Sequence, residues 1–128
     1  MISTLNPKEL FSRYRPEIVE AIEKVIDSGV YLMGEELAGF EKEFADFLDI
    51  KNVVGVGSGT DALTLSLKAL GIKSDEDVIV PANAYPTVFG VAQSGVHARF
   101  CDVEENTLTM SMRTIEPVLT IKTKAIVV

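Results

Sequence analysis

The stretch Asn52-Val53-Val54-Gly55-Val56-Gly57-Ser58-Gly59-Thr60-Asp61-Ala62-Leu63 decides how this chain is read. It reads as a short apolar strand over residues 53–56, a tight Gly/Ser turn, and a helix beginning at Thr60 or Asp61. A strand that passes through glycines into a helix N-terminus builds a place for an anion. The first helical N–H groups lack intrahelical partners, and the helix dipole adds positive potential there. Gly57 and Gly59 permit close backbone approach, and Thr60 offers a hydroxyl donor. Phosphate is the natural guest. A ligand-free strand-to-helix connection is the plainer alternative, and this segment alone leaves both open. Two nucleotide motifs fit less well. A Walker loop needs Gly-x4-Gly-Lys-Ser/Thr, which the chain lacks. The dinucleotide fingerprint G-x-G-x-x-G finds its first half in Gly55-Val56-Gly57 or Gly57-Ser58-Gly59, but its third glycine would fall at Thr60 or Ala62.

Outward from this stretch, apolar periodicity and turn residues mark the other elements. Residues 16–28 read as a helix with proline at its start, Ile18, Ile22, Val25 and Ile26 on one face, and Gly29 as its stop. Residues 31–34 read as an extended connector. Residues 35–48 read as a second amphipathic helix whose stripe of Leu37, Phe40, Phe44, Phe47 and Leu48 is expected to be core. Residues 61–70 are apolar over most of a helical surface, which predicts a buried helix stopped by Gly71. Then come a short buried strand at 78–80 stopped by Pro81, a helix at 84–94 ended by Gly95, a strand at 98–103, a polar turn at 102–106, a short helix at 111–119 and a strand at 124–128. Strands alternating with helices, with apolar strand runs, predict an α/β fold: a mostly parallel sheet covered on both faces, three layers α/β/α. The chain ends inside the apolar run Ala125-Ile126-Val127-Val128, where a crossover helix is expected next, so it reads as a single incomplete domain.

Composition excludes several classes. The 128 residues carry a net charge of −7 with no Lys/Arg cluster, which argues against nucleic acid or an anionic membrane as partner. Apolar residues make up 47% and charged residues 24%, the balance of a soluble globular protein. Cys101 stands alone, so there is neither a disulfide framework nor a thiol metal site. His97 is the only histidine and reads as structural. No secretory h-region and no membrane-length apolar run are visible, which makes the cytoplasm the expected compartment.

Six segments, in order, resemble the N-terminal part of the DegT/StrS-type sugar aminotransferases. They are Ser28-Gly29-Val30-Tyr31-Leu32-Met33-Gly34, Phe40-Glu41-Lys42-Glu43-Phe44-Ala45, Gly57-Ser58-Gly59-Thr60-Asp61-Ala62-Leu63, Asp75-Glu76-Asp77-Val78-Ile79-Val80-Pro81-Ala82-Asn83, Phe100-Cys101-Asp102-Val103 and Lys122-Thr123-Lys124-Ala125-Ile126. The resemblance implies the large domain of a fold type I, aspartate aminotransferase-like enzyme, with a helical segment at residues 1–50 and the first half of the cofactor-binding domain at 51–128. It implies pyridoxal 5'-phosphate as cofactor, a nucleotide-linked keto sugar as substrate, glutamate or glutamine as amino donor, and a homodimer. Carried over by position, Gly59, Thr60 and the Asp61 N–H would hold the cofactor phosphate, and Tyr85 would stack on the pyridine ring. Residues 31–34 would lie near the active-site mouth.

Departures bear on the same reading. The family usually has Thr where this chain has Ala84, and Pro86-Thr87-Val88 also differ from its pattern. The family's Schiff-base lysine lies beyond residue 128, and none of the eight lysines here matches its context. The chain by itself is therefore expected to be inactive. The resemblance further implies that the strand at 53–56 stands apart from a block formed by the other three. The alternative expectation is a free-standing α/β domain that binds a phosphorylated ligand without catalysis.

Overall fold

The computed structural model describes residues 6–128, which form two compact units, one ending at Gly55 and one spanning residues 56–128. The first unit holds three helices: α1 (Pro7–Ser12), α2 (Arg15–Ser28) and α3 (Glu35–Leu48). Helix α1 escaped the sequence reading. It is short, but Asn6 caps it and Pro7 opens it, both ordinary start signals. Helices α2 and α3 follow the expected boundaries, α2 ending on left-handed Gly29 and α3 on left-handed Asp49. The connector at 31–34 is not uniformly extended, since Met33 has φ 55°.

The aromatic stripe of α3 corrects an expectation. Phe40, Phe44 and Phe47 were to be core, yet all three are exposed, Phe47 at 80%. They stack on one another instead, with centroids 5.5 Å and 6.2 Å apart. Within this helix only Ala45 is buried. A periodic stripe reports which face of a helix is apolar, not whether anything covers it.

The second unit begins with α4 (Gly59–Ala69), then β1 (Asp77–Pro81), α5 (Tyr85–Ser94), β2 (His97–Cys101), α6 (Met112–Ile115) with a 3-10 turn at Glu116–Val118, and β3 (Thr123–Ile126). The three strands form one parallel sheet in the order β2-β1-β3. Residues 53–56, expected as a strand, are not one. Among the described residues no ladder includes them, and an apolar run without a hydrogen-bonded neighbour does not become a strand. The other three expected strands form a single block, as the resemblance implied.

Strand β1 lies between the other two, so its residues are buried on both faces. Alternation then divides them between two layers. Val78 and Val80 point to one face and pack with Leu67 of α4, Val91 of α5 and Val96. Ile79 points to the other and packs with Cys101 and Ile115 of α6, bordered by Met110 and Val118. Helical structure thus covers both faces of a parallel sheet, and the three-layer α/β/α arrangement stands. Strands β2 and β3 are edges and are only partly buried, with Phe100 and Ile126 exposed. Helix α4 is less buried than expected. Thr64 and Leu67 face the core, while Leu65 and Leu70 are exposed.

The start of β1 is anchored by Asp77, 3% exposed. Its Oδ2 accepts from Arg99 Nε at 2.9 Å, Arg99 Nη2 at 2.8 Å and the Thr120 hydroxyl at 3.1 Å, and its Oδ1 lies 2.7 Å from His97 Nδ1. His97 is therefore structural, as read from the sequence. These partners tie β1 to β2 and to the turn before β3. The Arg99 guanidinium, then His97, bring the Asp77 carboxyl down to about 2. Arg113, then Ser111, bring Glu104 down to about 2 as well. A carboxyl lowered on folding contributes stability above its unfolded value near 4 and loses it as pH falls through its folded value. Urea midpoints are therefore expected to hold from pH 7 to about 5 and to fall between about 4 and 2. Asp77→Asn should flatten part of that acid limb and lower the midpoint at neutral pH. An acid limb unchanged in Asp77→Asn would contradict the assignment.

Candidate functional site

The Gly/Ser turn delivers the chain into α4 as the sequence predicted. Ser58 is the N-cap, in extended conformation, and its Oγ accepts from the Asp61 N–H at 3.1 Å. The same hydroxyl donates to Asp61 Oδ2 at 2.9 Å. The Asp61 carboxylate lies back over the turn, with Oδ2 only 3.1 Å from where a Cβ on Gly57 would be, so glycine there leaves room for it. One of the three expected phosphate donors, the Asp61 N–H, is thus engaged by Ser58. The other two are not. The N–H groups of Gly59 and Thr60 have no hydrogen-bond partner among the described residues, as the first turn of a helix dictates. The Thr60 hydroxyl is likewise uncommitted there, and the space around Gly59 is open.

Tyr85 opens α5, with Pro86 next to it. Its ring is 71% exposed and tilts against Phe89, with centroids 4.7 Å apart. An aromatic ring held by one neighbour and otherwise free can receive a flat ligand. Ala84, where the family usually has Thr, makes no side-chain cap for the helix. Asn83 steadies the same connection by donating from Nδ2 to the Leu108 carbonyl at 3.0 Å, fixing a loop in which Leu108 has φ 56°.

Helices α4 and α5 lie directly on one another. Thr64, buried in α4, donates its hydroxyl to the Gly90 carbonyl of α5 at 2.9 Å. A Cβ on Gly90 would stand 2.8 Å from Leu63 Cβ and 3.1 Å from the Thr60 carbonyl oxygen. The first turn of α4 therefore rests on the middle of α5, with Tyr85 about 7.5 Å further along the α5 axis at five residues of helical rise. The sequence reading missed Ser58, Thr64 and Gly90. A serine three residues before an acidic residue at a helix start is a capping signal. A glycine inside an apolar helical pattern is a signal of close packing.

A separate cleft lies in the first unit. It has a volume of about 910 Å³ and is bordered by Lys24, Tyr31, Leu32 and Met33, with the Lys24–Glu36 ion pair at 2.6 Å beside it. Among the described residues, no helix is long and apolar enough to cross a membrane.

Residues 13–128 match the DegT/DnrJ/EryC1/StrS aminotransferase family. The chain belongs to that family. Among its relatives is the dTDP-3-amino-3,6-dideoxy-alpha-D-galactopyranose transaminase of Aneurinibacillus thermoaerophilus, 36% identical over 100% of this chain and 36% of the relative. Among solved structures, S. venezuelae DesV in complex with a ketimine intermediate superposes with TM-score 0.90 at 37% identity, covering 98% of this chain and 34% of that one. E. coli GDP-4-keto-6-deoxy-D-mannose-3-dehydratase with bound hydrated PLP superposes with TM-score 0.75 at 31% identity, covering 98% of this chain and 32% of that one. This member of the aminotransferase family thus spans about a third of the length of the relatives it matches.

Proposed function

We propose that the chain is part of a pyridoxal-phosphate enzyme that transfers an amino group to a nucleotide-linked keto sugar, and that Gly59, Thr60 and the Asp61 N–H hold the cofactor phosphate. The observation that carries this reading is the pair of uncommitted N–H groups at Gly59 and Thr60, beside an uncommitted Thr60 hydroxyl, in a chain of this family. These groups fit a phosphate. Two uncommitted backbone donors and an uncommitted hydroxyl lie at the positive end of α4, and the space around Gly59 is open. The Asp61 N–H joins them when the Ser58 hydroxyl turns away. Tyr85 stacks on the pyridine ring and limits its tilt. Bound there, the cofactor supplies an electron sink through which an amino group passes from donor to keto carbon. The donor is glutamate or glutamine, the protein works as a homodimer, and the lone thiol of Cys101 suits a cytoplasmic setting.

The test is cofactor titration followed by absorbance, with pyridoxal as the control that lacks a phosphate. Tighter binding of pyridoxal 5'-phosphate than of pyridoxal is expected, and equal binding would overturn the phosphate assignment. Tyr85→Phe is expected to leave affinity within about twofold, because a stacked ring needs no hydroxyl, while Tyr85→Ala weakens it by about 0.5–1.5 kcal/mol. Equal losses in both variants would point to the hydroxyl instead.

The likeness to a dehydratase supports a second reading, in which the same cofactor site removes a sugar hydroxyl. Product analysis of the complete enzyme with a nitrogen-labelled amino donor separates the two. Label in the sugar indicates amino transfer, and an unlabelled deoxy sugar indicates dehydration.

A further inference from the structure

Both proposed cofactor contacts sit at helix starts, Thr60 at the start of α4 and Tyr85 at the start of α5. Their spacing is set where the two helices touch, and that contact has an unusual composition. A hydroxyl from a buried threonine reaches the backbone of the facing helix, and the facing residue is a buried glycine. The Gly90 carbonyl has a second lone pair for the Thr64 hydroxyl beside its own helical bond. The close contacts of a Cβ at Gly90 are with Leu63 Cβ and the Thr60 carbonyl, atoms fixed to the backbone, so no rotamer change relieves them. One of these atoms belongs to Thr60 itself, the residue proposed to bind phosphate.

We infer that Gly90 and Thr64 are positioning residues for the phosphate turn: together they set the α4–α5 separation and so fix the Gly59 and Thr60 donors relative to Tyr85. This inference rests on the proposed cofactor reading. Thr64 holds the helices at hydrogen-bond distance, and Gly90 allows that distance. Neither touches the ligand. A methyl at position 90 moves the first turn of α4 by a few tenths of an ångström. Loss of the hydroxyl at position 64 frees the turn to drift. Either change misaligns donors that work only when all point at one phosphate.

The test uses Gly90→Ala, Thr64→Val and the conservative Thr64→Ser. It measures affinity for pyridoxal 5'-phosphate, for pyridoxal and for inorganic phosphate, together with the amide shifts of Gly59 and Thr60. Gly90→Ala and Thr64→Val are expected to weaken pyridoxal 5'-phosphate and phosphate by about tenfold while changing pyridoxal by less than about twofold, since charge-assisted bonds depend steeply on alignment. Thr64→Ser, which keeps the hydroxyl, should stay within about twofold of the parent. The two amide shifts should move in the ligand-free variants and not in Thr64→Ser. Unchanged phosphate-dependent affinity in folded Thr64→Val overturns the inference alone. Parallel losses for pyridoxal and its phosphate ester also overturn it, since they indicate general loosening. Equal binding of both ligands by the parent chain overturns the cofactor reading and the inference with it. Should Gly90→Ala fail to fold, the Thr64 pair decides the matter.

Discussion

Ile79→Ala is expected to lower stability by about 2–5 kcal/mol. Ile79 is fully buried in the central strand and is the one large aliphatic residue that β1 presents to the α6 layer. Its neighbours there are Cys101 and Ile115, which strand and helix geometry hold in place, so the void left by three lost carbons stays largely open. Val78 and Val80 lose less on truncation because fewer atoms are removed. They share a larger cluster with Leu67, Val91 and Val96 that can partly close. Ile126→Ala, on the edge strand and 42% exposed, is expected to cost only about 1 kcal/mol, because its side chain is only partly removed from water. Urea unfolding of these variants measures the order. An Ile79→Ala loss no greater than that of Ile126→Ala would mean that the second face of the sheet is not packed as described.

Thr60→Ala is expected to weaken pyridoxal 5'-phosphate by about 1–3 kcal/mol while leaving the stability of the free protein nearly unchanged. The structure separates two roles that a Ser-Gly-Thr turn leaves entangled. Ser58 makes the helix cap, so Ser58→Ala should cost about 1 kcal/mol of stability. Thr60 makes no side-chain bond among the described residues, so its hydroxyl is available to a ligand. Its loss therefore registers in affinity and not in folding. Ser58→Ala also releases the Asp61 N–H, which gives the phosphate a further donor and offsets part of the loss of the cap when cofactor is present. A thermal shift assay with and without cofactor reads both variants. A Thr60→Ala protein of normal affinity, or one destabilised as much as Ser58→Ala, would remove Thr60 from the site.

Local chemistry explains what the sequence could decide. Helix boundaries at Gly29, Asp49 and Gly95 follow from residues that accept the left-handed region, and these were legible to within a residue or two. The turn at 57–61 was legible because glycine, serine and threonine before an apolar helical run have few other uses. The central strand was legible as a continuous apolar run, Val78-Ile79-Val80, which only burial on both faces accounts for. Family membership was legible because six short segments recur in one order, a pattern that does not depend on coordinates.

Other features depend on what meets what, and only the tertiary structure decided them. The apolar run at 53–56 carries strand residues, but a strand exists only in a ladder, and no described partner supplies one. The Phe40, Phe44 and Phe47 stripe has the period of a core face, but its rings are exposed and stack on one another. Asp77 reads as one more acid in a polar turn until β2 brings Arg99 and His97 to its carboxylate. Thr64 and Gly90 are 26 residues apart and carry no mutual signal. Their meaning appears when the crossing of α4 and α5 places a hydroxyl on a carbonyl and leaves no room for a methyl. Local propensity and spacing settle the elements of this protein and the turn that opens its candidate site. The separation of the two helices that frame that site is a property of packing between residues distant in the chain, which no local pattern encodes.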